Sequence, residues 1–215
     1  MRIVVVARDV GRWPLGQGQD PADVLAEHGW AGDPVRAVRG EGDDVELHYA
    51  VSALADPAVT VAVHPGPPGT RAYQRLAAYA LVVDEGRLLM SQLSERVRGA
   101  AGRWSLPGGG VDPGEEPLHG VVREVHEETG QHVIVDDLVQ VQSSHWVADD
   151  VPEDDYEDFH AVRLIYRATC PRPTAAEVVE IDGSTGAAAW VPLAEVSALP
   201  LVGMVGEAHG LVDVG

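Results

Sequence analysis

The chain has 215 residues, 45% of them hydrophobic, and a formal net charge of −19 from 15 basic and 34 acidic side chains. That length and apolar content suit a globular domain with a smaller second one and exclude disorder as the default. The charge, with arginines scattered along the chain, excludes duplex nucleic acid as a partner, and a phosphate-bearing ligand would need a cation to approach.

Every basic residue is Arg, so a P-loop, whose lysine reaches the phosphates, is excluded as well. The apolar run at the N-terminus is interrupted by Arg8 and Asp9 before a signal-peptide core forms. No apolar stretch reaches the roughly 18 residues of a membrane span. One cysteine, Cys170, allows no intrachain disulfide. Together these predict a cytoplasmic protein with no membrane partner.

In chain order, "RIVVVA" (2–7) reads as a buried strand. "DPADVLAEHG" follows as a short helix with Asp20 as N-cap, Pro21 at its first position and Gly29 past its end. "DDVELHYAVS" alternates as a half-buried strand, and "VTVAV" repeats the pattern. Residues 1–63 therefore read as a small α/β domain. "HPGPPGT" (64–70) is a linker, because its prolines and glycines neither extend a helix nor pair inside a sheet. From 71 to 215 a second domain begins with "LAAYALVVDEGRLLMSQL", a strand, a bend at Asp84, Glu85 and Gly86, and a strand. "HVIVDDLVQVQ", "FHAVRLIYRATC" and "GAAAWVPL" are further strands, and "PLAEVSAL" is a short helix from Pro192. Trp104, in a strand-like stretch, reads as core.

Between these lies "GGVDPGEEPLHGVVREVHEETGQ" (109–131), with six carboxylates. Asp112, Pro113 and Gly114 form a turn, and Glu115 and Glu116 stand at a helix start. Glu127 and Glu128 follow Glu124 by three and four residues, which puts all three on one side of a helix. Leu118, Val122 and Val125 fall a third to a half turn away, giving an apolar side. Such acids repel one another, and only Arg123 is near enough to compensate. A solvated face is the bland reading. The sharper one is that hard divalent cations, which prefer oxygen ligands, neutralise the cluster. "HEETG" fails as a zinc-protease helix because Gly130 stands where the second His belongs, and His126 reads as a surface residue. "PGGGVDPG" fails as a dinucleotide fingerprint at Pro113.

As a whole, residues 109–131 resemble the Nudix box. Gly109, Glu115, Arg123, Glu124, Val125, Glu127, Glu128 and Gly130 fall on its pattern, and Gln131 departs where the family has an aliphatic residue. A chance match is on the order of 10⁻⁸ per starting point. The resemblance covers roughly residues 71 to 200. It implies an α/β/α sandwich with a mixed sheet, here preceded by the small N-terminal α/β unit, and hydrolysis of a diphosphate bond in a nucleoside diphosphate linked to another moiety. By position it implies Mg²⁺ or Mn²⁺ held by Glu124, Glu127, Glu128 and the Gly109 carbonyl, with Arg123 and Glu115 paired to orient the acids. The substrate would be a small nucleotide-type diphosphate.

The family often draws a further carboxylate from a loop after the box, and "DDVPEDDYED" (149–158) is the candidate, although a solvated hairpin tip is the better reading. Tyr156, Phe159 and Trp146 either stack on a base or pack. Gly120, mid-helix, costs roughly 1 kcal/mol of propensity and marks a close contact. Gln92 stands where the coenzyme A hydrolase signature has Arg, so subfamily marks name no substrate. A non-catalytic ligand sensor is the alternative, but such proteins tend to lose box acids. The N-terminal unit reads as a scaffold or homodimer contact, or as a wall of the substrate cleft.

Overall fold

The structure, a computed structural model, describes residues 1–55, 70–148, 158–180 and 183–209. The chain divides into two compact units. One comprises Met1–Ala77, Asp112–Glu116 and Gln140–Leu164, the other Ala78–Val111, Pro117–Val139 and Ile165–Gly215. The "VTVAV" strand and, except for Thr70, the Pro/Gly linker lie outside the described residues, as do 149–157 of the acidic loop.

The first unit opens with β1 (Arg2–Ala7), β2 (Gly11–Pro14), α1 (Pro21–Glu27), β3 (Trp30–Arg39) and β4 (Asp44–Ala53), in a sheet ordered β2-β1-β4-β3. β1 runs parallel to β4, while β1–β2 and β3–β4 are antiparallel. The expected start of α1 is realised: the Asp20 side chain accepts from Ala22 N at 2.8 Å, Pro21 opens the helix, and Gly29 takes φ 85° after it. Ile3, Val5, Leu25 and Leu47 are buried. β3 was not anticipated, because Gly32 and Pro34 argue against a strand. Its edge position resolves the conflict, since an edge tolerates a missing donor, and the register shifts between Pro34 and Arg36.

The larger sheet has seven strands. Its path is β11 (Thr185–Pro192), β6 (Arg87–Leu93), β5 (Ala72–Asp84), β10 (Asp158–Thr169), β9 (Ile134–Val147), with β7 (Trp104–Ser105) on β6 and β8 (Gly108–Gly110) on β5. β5 and β6 join through Glu85 and Gly86, at φ 45° and 73°, the paired positive angles of a tight hairpin. α2 (Pro117–Thr129), the four-residue α3 (Leu193–Val196) and α4 (Gly203–His209) complete the second unit. Its core gathers Leu81, Met90, Leu106, Ile165, Val196 and Val205, with Trp104 packed against them as expected. The α/β class and mixed sheets agree with the reading from sequence. Among the described residues no helix is long and apolar enough to cross a membrane.

Two expectations for α2 are corrected. The helix starts at Pro117, after Glu115 and Glu116, because proline's fixed φ suits the first position. Its buried side carries Pro117, Gly120, Val121, Val125, Glu128 and Thr129, whereas Leu118 is 43% exposed. Glu128 follows Val121 by seven residues, a net rotation of only about 20°, so it shares that side.

In the first unit a polar lattice ties the loop before α1 to β9 and β10. His160 is fully buried; its Nδ1 accepts from Gly18 N at 3.1 Å and its Nε2 lies 2.9 Å from Ser143 Oγ, which donates to the Gln19 carbonyl at 3.2 Å. Asp158 of the acidic loop is turned inward, held by His145 at 2.8 Å and Gln17 at 2.7 Å. Trp146 and Phe159 stack on each other, centroids 4.6 Å apart. Burial, and then His145, hold His160's pKa down to about 4, against a smaller opposing pull from Asp158. The unfolded chain takes up this proton near pH 6.5 and the folded one only near 4. The stabilisation is complete above 6.5 and is lost as pH falls between those values. Urea denaturation at pH 7.5 and pH 5 is therefore expected to show wild type losing on the order of 1–2 kcal/mol more than His160→Asn. Equal losses in the two proteins would overturn this assignment.

Candidate active site

α2 carries Glu124, Glu127 and Glu128, and the structure gives them different surroundings. The Glu128 carboxylate is 3% exposed; it accepts from Gly108 N at 2.9 Å, from the Thr185 hydroxyl and from Ser91. Burial raises its pKa to about 7 despite those donors, and Glu124 adds to the rise. Gly108 permits this seat: at φ 144° it lies so close to β5 that a Cβ would overlap the Ala78 carbonyl. At Gly109 a Cβ would stand 2.7 Å from the Glu124 carboxylate, so the backbone entering the box runs directly against that acid.

Arg123 bridges the other two. Its Nη1 donates to Glu124 at 3.1 Å and to Glu127 at 2.8 Å, and its Nη2 reaches the Gly110 carbonyl at 3.4 Å. Glu124 is nevertheless pushed up in pKa by burial, with Arg123 opposing and Glu127 and Glu180 adding repulsion.

Glu180 is the residue that sequence reasoning missed. The C-terminal carbonyls of α2 lack helical partners, and residues 177–180 supply them. Val179 N and Glu180 N donate to the Glu127 carbonyl at 2.9 Å each, and Glu177 N donates to the Thr129 carbonyl at 3.0 Å. This docking sets Glu180 beside the acids of α2, in a stretch with no periodicity or motif to flag it. Asp158 is held in the lattice of the first unit by His145 and Gln17. Glu115 and Glu116 belong to that unit too, accepting from Asp112 N and Arg39 N, each at 3.0 Å. His126 is half-buried and stacks on His132 at 4.4 Å, correcting its reading as a surface residue.

The donor set fits a hard divalent cation. Glu127, Glu128 and Glu180 each repel Glu124, with Arg123 the one guanidinium paired there among the described residues, and partly desolvated like charges favour further neutralisation. As they stand, no three acidic, His or Cys side chains among the described residues converge closely enough to hold an ion. Binding one therefore requires carboxylates to turn toward it.

A family description, the NUDIX domain, matches residues 73–208. The chain belongs to the Nudix family. An RNA pyrophosphohydrolase of Brucella anthropi is 40% identical over 58 residues, covering 27% of this chain and 32% of that protein. The nucleoside triphosphatase NudI of Salmonella agona is 35% identical over 65 residues, covering 30% and 46%. The chain thus spans a third to a half of the length of these curated relatives. Among solved structures, a MutT Nudix hydrolase from Burkholderia pseudomallei has 28% identity and a TM-score of 0.45 over 64% of this chain and 97% of that one. Nudix hydrolases generally use divalent metal ions.

Gln131, the departure from the Nudix box, is 1% exposed and fully engaged. Its Nε2 donates to the Thr129 and Ala175 carbonyls and to Thr174 Oγ1, while its Oε1 accepts from Thr174 N at 3.0 Å and from the thiol of buried Cys170. A polar clamp fills the place where an aliphatic side chain would pack, and it fastens the start of the segment that delivers Glu180. Gln131→Leu, which restores the family pattern, is expected to destabilise the protein by about 1–3 kcal/mol through the groups left unpaired, read as a lower denaturation midpoint.

Proposed function

We propose that this chain hydrolyses a diphosphate bond in a nucleoside diphosphate linked to another moiety, or in a related nucleotide, with Mg²⁺ or Mn²⁺ as cofactor. The observation that carries the reading is the excess, among the described residues, of partly buried carboxylate on and beside α2 over the guanidinium of Arg123. Glu124, Glu127, Glu128 and the Gly109 carbonyl would hold the cation. Bound there, it supplies polarisation of the diphosphate, a more acidic water and stabilisation of the leaving oxygen. The names of the curated relatives, a pyrophosphohydrolase and a nucleoside triphosphatase, support the same bond type.

The residues of this chain divide the remaining work. Arg123 holds Glu124 and Glu127 at one edge of the helix and keeps their mutual repulsion from splaying them. The hydrogen bonds to Glu128 fix how far α2 is rotated toward the sheet. A carboxylate of this rim that the cation leaves unligated is suited to accept the proton of the attacking water. Glu180, exposed and attached through its backbone to the end of the helix, completes the acidic rim. Retention of every box acid favours an enzyme over a sensor.

A release assay across nucleotide sugars, ADP-ribose, nucleoside triphosphates, dinucleoside polyphosphates and coenzyme A, with and without Mg²⁺, identifies the substrate. On that substrate, Glu127→Gln is expected to lower kcat by on the order of a hundredfold or more while leaving the melting temperature unchanged or raised, whereas Glu128→Gln is expected to lower both, because an amide nitrogen cannot accept as the buried carboxylate does from Gly108 N and the Thr185 hydroxyl. Unchanged rates in both variants would sink the mechanism. Glu180→Gln is expected to cost about tenfold in kcat with no loss of stability, because its side chain is exposed. Wild-type turnover in that variant would remove Glu180 from the site.

A further inference from the structure

The arginines that look scattered along the chain are partly gathered by the four-stranded sheet. β1 pairs with β2 and β4, and β4 pairs with β3, so that Arg12, Val6, His48 and Arg36 stand opposite one another in a single row across all four strands. Residues directly opposite share a face. A groove of about 840 Å³ opens on this row, and the β1–β2 turn adds Arg8 to its lining.

The groove is cationic in an acidic molecule. Its lining holds Arg8, Arg12 and Arg36 against one carboxylate, Asp9, in a chain of 15 basic and 34 acidic residues. Glu46, in the row behind, pins Arg12 at 2.6 Å and His48 at 2.9 Å. Arg8 and Arg36 are exposed and make no ion pair among the described residues. Beside these two cations the groove is apolar: Val35, at the register shift of β3, is 53% exposed, and Val10 is 40% exposed.

Two guanidinium forks next to an apolar wall match a ligand with a phosphoryl group at one end and a flat or apolar body at the other. The volume lies in the range of small-molecule sites, roughly 300–1,000 Å³. Charge argues for a small ligand rather than an acidic protein. The field of the rest of the chain is repulsive and is screened over about 8–10 Å at physiological salt, so an anion confined to the groove escapes a repulsion that a long polyanion meets. We propose that this groove is a second ligand site, for a small organic phosphate of the nucleoside monophosphate kind, independent of the acid cluster on α2.

The test is calorimetric titration of the full chain in EDTA, with AMP, adenosine, inorganic phosphate and poly-glutamate as probes. AMP is expected to bind saturably at one site per chain, at least about tenfold more tightly than adenosine or inorganic phosphate. Arg8→Gln combined with Arg36→Gln is expected to weaken AMP by at least about tenfold. Val35→Asp does the same from the apolar wall, and Glu127→Gln leaves AMP binding unchanged. All four positions are at least partly exposed, and thermal unfolding confirms that each variant is folded. Absence of saturable AMP binding, binding that survives the double substitution, or inorganic phosphate binding as tightly as AMP would each overturn the proposal. So would preferential binding of poly-glutamate, or a dimer in sedimentation that the double substitution dissolves, since these give the groove to an acidic chain or a second copy.

Discussion

One carboxylate, that of Glu128, sets the geometry of the candidate site. It is carried to the buried side of α2 by the same heptad spacing that buries Val121, and there it is solvated by an amide, a threonine hydroxyl and a serine instead of water. Those three donors come from β8, β11 and β6, so the acid fixes the rotation of α2 against three strands at once. Given that rotation, helical geometry leaves Glu124 and Glu127 at the rim, where Arg123 can span both. Gly108 belongs to the same constraint, since the amide that reaches Glu128 sits on backbone pressed too closely to β5 for any side chain.

The end of α2 extends the logic. Helix termini leave carbonyls that must find donors, and here the donors are the amides of residues 177–180. Satisfying a backbone requirement thereby brings a fourth carboxylate, that of Glu180, within reach of Glu124. The Gln131 clamp serves this arrangement: by holding Thr174 and Ala175 it secures the start of that segment, which an aliphatic residue could not do through hydrogen bonds. The departure from the Nudix pattern is thus compensated locally.

What was legible in the sequence depended on the range of the interaction responsible. The cap of α1 at Asp20, the Glu85–Gly86 hairpin and the spacing of the box acids are set within a few residues, and all are read directly. The apolar side of α2 was misread because Leu118 is exposed while Glu128 is buried, a preference reversed by donors from three distant strands. β3 was missed because Gly32 and Pro34 are strand breakers except at an edge, and edge position is a property of the whole sheet. Glu180 and the Arg8–Arg12–Arg36 grouping were invisible for a related reason: pairing register and helix-end docking bring them to their neighbours, and neither leaves a periodic trace. Scattered arginines excluded a linear basic stripe, but not a row assembled across four strands.

The treatment of buried acids differs between the units, and the difference bears on function. In the first, Asp44 meets Arg2 at 2.7 Å, Glu46 meets Arg12 and His48, and Asp158 meets His145 and Gln17, so every one of these inward carboxylates has a basic or amide partner. In the second, among the described residues, Glu128 has only neutral donors, and Glu124 and Glu127 share a single guanidinium. A chain that pairs its carboxylates in one place is able to pair them in another. Charge left where burial penalises it is relieved by a proton, as the raised pKa of Glu128 records, or by a cation, and a divalent cation has the charge, hardness and preference for oxygen that suit several carboxylates at once. The same comparison isolates the groove of the first unit, where the imbalance has the opposite sign and an anion is the species that would relieve it.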